Sequence, residues 1–194
     1  PGAGVNAFER GVRLAQRFLD YHQRCLERET RHEMDKPHAR RPSMTLGGVS
    51  GGGSKVNTIP SRFHFTIDRR LIPEERVAEV IREFQGLLRE AKREDNTLKA
   101  EMEILTGFDA AITDPGSPLC AAACQAVRAV NGKPAHLRVF GAFTDLHFFT
   151  NQAGCPAIGY GVEGAGIHGH QEYLVIPSLV NTARVYAEIV RGLR

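Results

Sequence analysis

The chain has 194 residues, 42% of them hydrophobic and 24% charged, with a net charge of +3. This is an ordinary globular composition for one large domain or two small ones. No stretch reaches the length of a membrane-spanning helix, no signal peptide is read, and there is no internal repeat.

The first predicted element is an amphipathic helix over residues 6–29. Asn6 serves as its N-cap, and Val12, Ala15, Leu19, His22 and Leu26 follow helical spacing. The polar connection at residues 30–42 belongs to the one basic cluster, Arg28, Arg31, Lys36, Arg40 and Arg41. Acidic residues are mixed into it and no aromatic residue interleaves it, so it reads as a solvated loop rather than a nucleic-acid surface. Met44 to Ser50 reads as a strand running into the glycine-rich stretch 47–54. That stretch lacks the Lys-Ser/Thr ending of a phosphate-binding loop and reads as a flexible loop.

Arg62 to Arg70 alternates strictly, with Phe63, Phe65 and Ile67 on one face and His64, Thr66 and Asp68 on the other, as a half-buried strand does. A helix opening at Pro73-Glu-Glu carries the stripe Val77, Val80, Ile81, Phe84, Leu88 and Ala91. Leu98 to Leu105 alternates again and reads as a strand. Helix, strand, strand, helix, strand is a split βαβ pattern lacking one leading strand.

After Gly107 the composition changes. Ser117 and Pro118 start an Ala-rich helix that stops at Asn131-Gly132, with Leu119, Ala123, Ala126, Val127 and Val130 inward. Leu137–Phe140 and Pro156–Tyr160 read as short strands, and Thr144–Asn151 as a turn or short helix carrying Asp145 and His147. A last helix begins at Pro177-Ser178 with Leu179, Ala183, Tyr186, Val190 and Leu193 in register. Strands alternating with helices predict a mainly parallel sheet covered on both faces, with ligands off the carboxyl ends of its strands. The cysteines, Cys25, Cys120, Cys124 and Cys155, show no CxxC pair and read as free thiols of a reducing, cytoplasmic compartment.

Residues 164–176 concentrate chemistry: three glycines precede or separate His168, His170 and Glu172. If this segment is extended, the three side chains share one face and converge as imidazole and carboxylate metal ligands do. The alternative is a pair of loop histidines and a solvated glutamate.

Spaced motifs over nearly the whole chain resemble the family of metal-dependent amidohydrolases that includes acetylornithine deacetylase, succinyl-diaminopimelate desuccinylase, aminoacylase and glutamate carboxypeptidase. Pro1-Gly-Ala-Gly-Val-Asn-Ala resembles the run opening the first helix of the family's lid domain. Asn57-Thr-Ile-Pro with Ile67-Asp-Arg-Arg resembles its Asn-Val-Ile-Pro and Asp-x-Arg pair. Gly141-Ala-Phe-Thr-Asp resembles its Gly-rich Thr/Ser-Asp segment, and Gly159-Tyr-Gly with His168-x-x-x-Glu172 its closing segment.

The resemblance implies a ferredoxin-like α+β lid that dimerises (residues 1–106) and the C-terminal part of an α/β catalytic domain with a mainly parallel sheet (residues 107–194). It implies that Arg70 binds the substrate carboxylate, which a planar guanidinium grips bidentately. It further implies that Asn57 reaches the active site, often the partner subunit's, that Gly141 and Thr144 line the substrate pocket, and that His168, not His170, is a metal ligand, with Glu172 supporting it. The activity implied is hydrolysis of an amide bond in an N-acyl amino acid or small peptide with a free carboxylate, using two divalent metals, zinc with cobalt or manganese as alternatives. The partners implied are that substrate and a second copy of the chain; no nucleic acid and no membrane are expected. The family's His-x-Asp, bridging aspartate, Glu-Glu pair and lid histidine are not among these residues. The chain therefore reads as a C-terminal fragment, inactive by itself. The competing reading is a self-association module without chemistry; nucleic-acid binding through residues 28–41 is a distant third, with steep salt dependence as its signature.

Overall fold

Asn6 accepts hydrogen bonds from the backbone N–H groups of Phe8 and Glu9, 3.0 and 3.3 Å, and so caps the first helix, α1 (Ala7–Cys25). The computed structural model describes residues 4–193, so the first three residues of the Pro-x-x-Gly-x-Asn-Ala resemblance lie outside the described residues. The chain divides into two compact units, residues 1–110 and 111–194.

In the first unit a short 3₁₀ turn, Pro37–Arg40, leads from α1 into β1 (Ser43–Gly52), which pairs antiparallel with β2 (Phe63–Arg70); α2 (Val77–Glu94) follows. Ser43 lies opposite Arg70 at one end of the ladder and Gly52 opposite Phe63 at the other, with an irregularity between Leu46 and Ser50. The glycine-rich stretch is therefore largely strand, not the loop expected from composition. Gly47, at φ 75°, forms the bulge, and the Thr66 hydroxyl takes the Val49 N–H at 2.9 Å where the ladder is interrupted.

The core of this unit joins Leu14, Phe18, Tyr21 and Cys25 of α1 to Val80, Phe84 and Ala91 of α2, over Met44, Leu46, Phe65 and Ile67 of the strands. Phe84 meets Phe18 and Tyr21 edge to face at 5.0 and 5.4 Å. The buried stripe of α1 is thus rotated from the expected one. Val12 and Leu19 are exposed, because the neighbouring stripe carries the larger aromatic area. The stripe of α2 is as read, but the helix starts at Val77 rather than Pro73, with the Asp109 carboxylate accepting the Val77 N–H at 2.8 Å. Leu98, Ala100 and Met102 pack against the core as their alternation predicts, yet residues 98–105 form no ladder among the described residues. Alternation chooses a face; a ladder also needs a strand edge about 4.8 Å away, and β2 pairs with β1 alone.

Glu75, in the loop after β2, ties these pieces together. Its carboxylate accepts from Arg69 (2.6 Å), Arg28 (2.8 Å) and the Ile72 N–H (3.2 Å). The Arg69 and Glu75 side chains are only 4% and 7% exposed, a pair in which removing one partner typically costs about 3–5 kcal/mol. Arg28 also bonds Glu83 at 2.9 Å, and the Tyr21 hydroxyl donates to the same carboxylate.

In the second unit α3 (Pro118–Asn131) and α4 (Ile176–Gly192) pack through Ala123, Ala126, Val185 and Ile189, with Ile158 and Tyr160 against them. Ser117 caps α3, and Gly132, at φ 71°, ends it. The inward face of α4 is Thr182, Val185 and Ile189; the expected stripe Leu179, Tyr186, Val190 and Leu193 is exposed. Both faces are apolar, so periodicity alone does not choose between them.

Mixed helix and sheet is the architecture expected, but the parallel sheet predicted for residues 107–194 is not formed among the described residues. Both sheets are antiparallel pairs, the second being β3 (Gly164–Ala165) with β4 (Tyr173–Leu174). Leu137–Phe140 supplies one bridge residue, Val139, and Pro156–Tyr160 is held by a side chain. The Thr113 hydroxyl donates to the Ala157 carbonyl at 2.5 Å and accepts its N–H at 2.9 Å. A parallel strand needs neighbouring strands delivered by crossovers, and these segments find none.

Burial works to raise the Glu83 carboxyl, but hydrogen bonds from Tyr21 and Arg28 outweigh it and hold the group below its ordinary 4.5. A depressed carboxylate stabilises the fold above the unfolded value and loses that contribution as pH falls through the folded one. The urea midpoint of the first unit is therefore expected to drop on acidification below about pH 4.5, and less so in Glu83→Gln. Identical acid slopes in both proteins would remove Glu83 as a source.

Candidate functional site

The alternation of β2 sends consecutive arginines to opposite faces. Arg69 points into the core side and Arg70 stands on the open face, its side chain 60% exposed. Asp68 shares that face and its carboxylate meets the Arg70 guanidinium at 2.8 Å. Across the ladder stand Thr45, opposite Asp68, and Ser43, opposite Arg70, both exposed. The main chain here is held from behind, since Arg69 donates to the Arg70 carbonyl while Glu75 grips Arg69. An exposed guanidinium on a fixed strand end, with donors left over from its one ion pair, is equipped to receive a carboxylate.

Asn57 is exposed in the turn joining β1 to β2, where the Thr58 N–H bonds the Lys55 carbonyl at 3.2 Å. An open depression of about 350 Å³ lies at this end, lined by Asn6, Ser50, Lys55, Thr58 and Phe63 among others. Arg70 is at the other end of the ladder. Phe63 to Arg70 is seven residue steps, about 23 Å of strand. Within one chain the structure does not bring Asn57 and Arg70 together.

In the second unit Gly141 is exposed and Thr144 half-buried at the start of a helical turn that continues as a π-helical turn, Phe148–Gln152. The Thr144 carbonyl meets the His147 ring Nδ1 at 2.8 Å, and the ring is buried between Phe143 and Phe148, with centroids 4.8 and 3.9 Å away. His147 thus holds the Thr144 turn, a role that sequence reading missed. The available signal was a histidine set among Phe143, Phe148 and Phe149.

The segment bearing His168, His170 and Glu172 is not extended. After the two residues of β3 the chain turns at Gly166 (φ 75°), the Gly169 N–H closes onto the Gly166 carbonyl at 2.7 Å, and the Glu172 N–H onto that of Gly169 at 3.3 Å. His168 occupies the left-handed region (φ 63°) on the exposed tip. The one-face convergence expected from alternate spacing is therefore overturned, because alternation holds only along a strand and this strand ends at Ala165. No group of three or more His, Cys, Asp or Glu is placed to hold a metal among the described residues. His168 offers a single imidazole, and one donor does not fix a metal ion.

Residues 1–96 match the peptidase dimerisation domain. Succinyl-diaminopimelate desuccinylases resemble the chain. That of Granulibacter bethesdensis is 24% identical over 155 residues, covering 76% of this chain and 39% of its own. That of Rhizorhabdus wittichii is 27% identical over 149 residues, covering 77% and 37%. The chain thus spans about two-fifths of the length of these curated relatives. Among solved structures, a metallo-carboxypeptidase from Sulfolobus solfataricus superposes with a TM-score of 0.61 at 16% identity, over 98% of this chain and 46% of its own. A di-peptidase from Saccharomyces cerevisiae gives 0.56 at 21% identity, over 80% and 34%. These two likenesses show a shared fold.

A non-glycine residue in the left-handed region is disfavoured by about 1 kcal/mol, and His168 bears that cost on an exposed tip. His168→Gly is expected to leave the fold intact and to keep or slightly raise the thermal midpoint of the second unit. A clear drop would show the imidazole to be structural.

Proposed function

The chain belongs to the metal-dependent amidohydrolase and peptidase family of acetylornithine deacetylase and succinyl-diaminopimelate desuccinylase, and from that premise we propose that it is the dimerising and substrate-gripping part of a hydrolase. The reaction is cleavage of an amide bond in an N-acyl amino acid or small peptide with a free carboxylate. The observation that carries this reading is Arg70, an exposed guanidinium at the clamped end of β2.

In this reading residues 1–106 form the lid and residues 107–194 belong to the catalytic domain. Arg70 binds the substrate carboxylate. Asn57, at the far end of the same ladder, serves the site of a partner subunit, since about 23 Å of strand separates it from its own Arg70. Gly141 and Thr144 line the pocket, with the Thr144 turn held by His147. His168 lends one imidazole to a divalent metal, zinc with cobalt or manganese as alternatives. The described residues do not form a metal centre by themselves, so further donors come from outside them. The compartment that suits this chemistry and the free cysteines is the cytoplasm.

The test is made on the longest product of the gene that carries this chain. With an N-acyl amino acid, Arg70→Met is expected to lower kcat/KM by at least about tenfold, the effect of losing a charge-assisted contact. With the corresponding amino-acid amide the same substitution is expected to change little. Equal losses on both substrates would sink the assignment of Arg70.

The match of residues 1–96 to the peptidase dimerisation domain favours a second reading, self-association without chemistry. Sedimentation of the 194-residue chain is expected to show a dimer under either reading. A monomer at every concentration would remove the dimerising role.

A further inference from the structure

Resting on the reading of Arg70 as the carboxylate-binding residue, we propose that Asp68 is a positioning and specificity residue that holds one side of the Arg70 guanidinium and lowers the site's preference for doubly over singly charged anions. Arg70 is the last residue of β2, paired with Ser43, and its carbonyl is taken by Arg69, which Glu75 fixes at 2.6 Å. The main chain is thus set by buried groups, and only the aim of the Arg70 side chain is left to the open face.

On that face Asp68 is the ion-pair partner of Arg70. Its Oδ2 accepts from Arg70 Nη2 at 2.8 Å, and both side chains are more than half exposed. A guanidinium carries five N–H donors in a fixed fork. One contact to Asp68 orients the fork and leaves a pair of parallel donors for an incoming carboxylate. The cross-strand neighbours, Ser43 and Thr45, bring hydroxyls and no second cation.

One positive and one negative side chain leave this four-residue patch without net charge. A monocarboxylate gains the bidentate contact and meets one repulsion, from Asp68. A dianion is drawn to Arg70 by both of its charges and repelled by Asp68 on both, so Asp68 offsets the gain that a second charge would otherwise bring. For one additional unit charge at about 5 Å in a water-like dielectric, the difference corresponds to about fourfold in affinity at low salt.

The experiment titrates the ¹⁵N-labelled 194-residue chain at low ionic strength with N-acetylalanine and, separately, with inorganic sulfate. The arginine Nε–H signal that disappears in Arg70→Gln is followed. In Asp68→Asn the sulfate-to-N-acetylalanine affinity ratio is expected to rise about fourfold. In Asp68→Glu, which keeps the charge, it is expected to stay at the unsubstituted value. Because Asp68 is exposed, both variants are expected to keep the fold, checked from the same spectra. An unchanged ratio in Asp68→Asn, with binding still lost in Arg70→Gln, overturns the role of Asp68 and leaves that of Arg70 standing. Binding in Arg70→Gln equal to the unsubstituted chain, or no response of Arg70 to either probe, overturns the Arg70 reading and the inference with it.

Discussion

A carboxylate with little access to water has to be surrounded by donors, and the first unit is built around one such group. Glu75 accepts from two arginines and a backbone amide, drawn from α1's trailing segment, the end of β2 and the loop that leaves it. Each donor comes from a different part of the chain, so satisfying the charge fixes how those parts meet. Glu83 extends the arrangement to α2 through Arg28 and Tyr21. Around it the aromatic contacts of Phe18, Tyr21 and Phe84 supply the area that burial rewards.

That constraint reaches the candidate site through one peptide unit. Arg69 is held from the core side, and the pleat of the strand obliges the next residue to point the other way. The exposed Arg70 therefore stands on main chain that the buried Arg69–Glu75 pair holds in place. The same pleat places Asp68 beside it and Ser43 and Thr45 across the ladder. Exposed ion pairs add little to stability, so the pairing of Asp68 with Arg70 matters for how the guanidinium is presented.

The second unit is held more locally. Two helices share a small apolar seam, and side-chain bonds from Thr113, Asn131 and Tyr186 secure the segment around Ala157 to Tyr160. His147 does the same for the Thr144 turn. The residues assigned by resemblance in this unit, Gly141, Thr144 and His168, are all on turns. Their local conformations are well specified, whereas the chemistry assigned to His168 requires donors that the described residues do not provide.

The features legible from residue order alone were local in origin. The caps of α1 and α3, the inward stripe of α2, the alternation that separates Arg69 from Arg70, and the inward faces of Leu98, Ala100 and Met102 all follow from side chains a few residues apart. The spaced motifs were legible for the same reason, as short patterns of residue type. Which of two apolar faces α1 and α4 bury was settled by long-range packing alone, because that choice depends on the area a distant element offers. Long-range packing also leaves residues 98–105 without a ladder, since pairing needs a neighbouring edge that periodicity does not describe. Folding turned the His168 segment into the tip of a hairpin, where Gly166 and His168 take left-handed conformations and alternate spacing no longer means a shared face. The Glu75 network was illegible beforehand for the same physical reason: its partners are tens of residues apart, and only folding makes them neighbours.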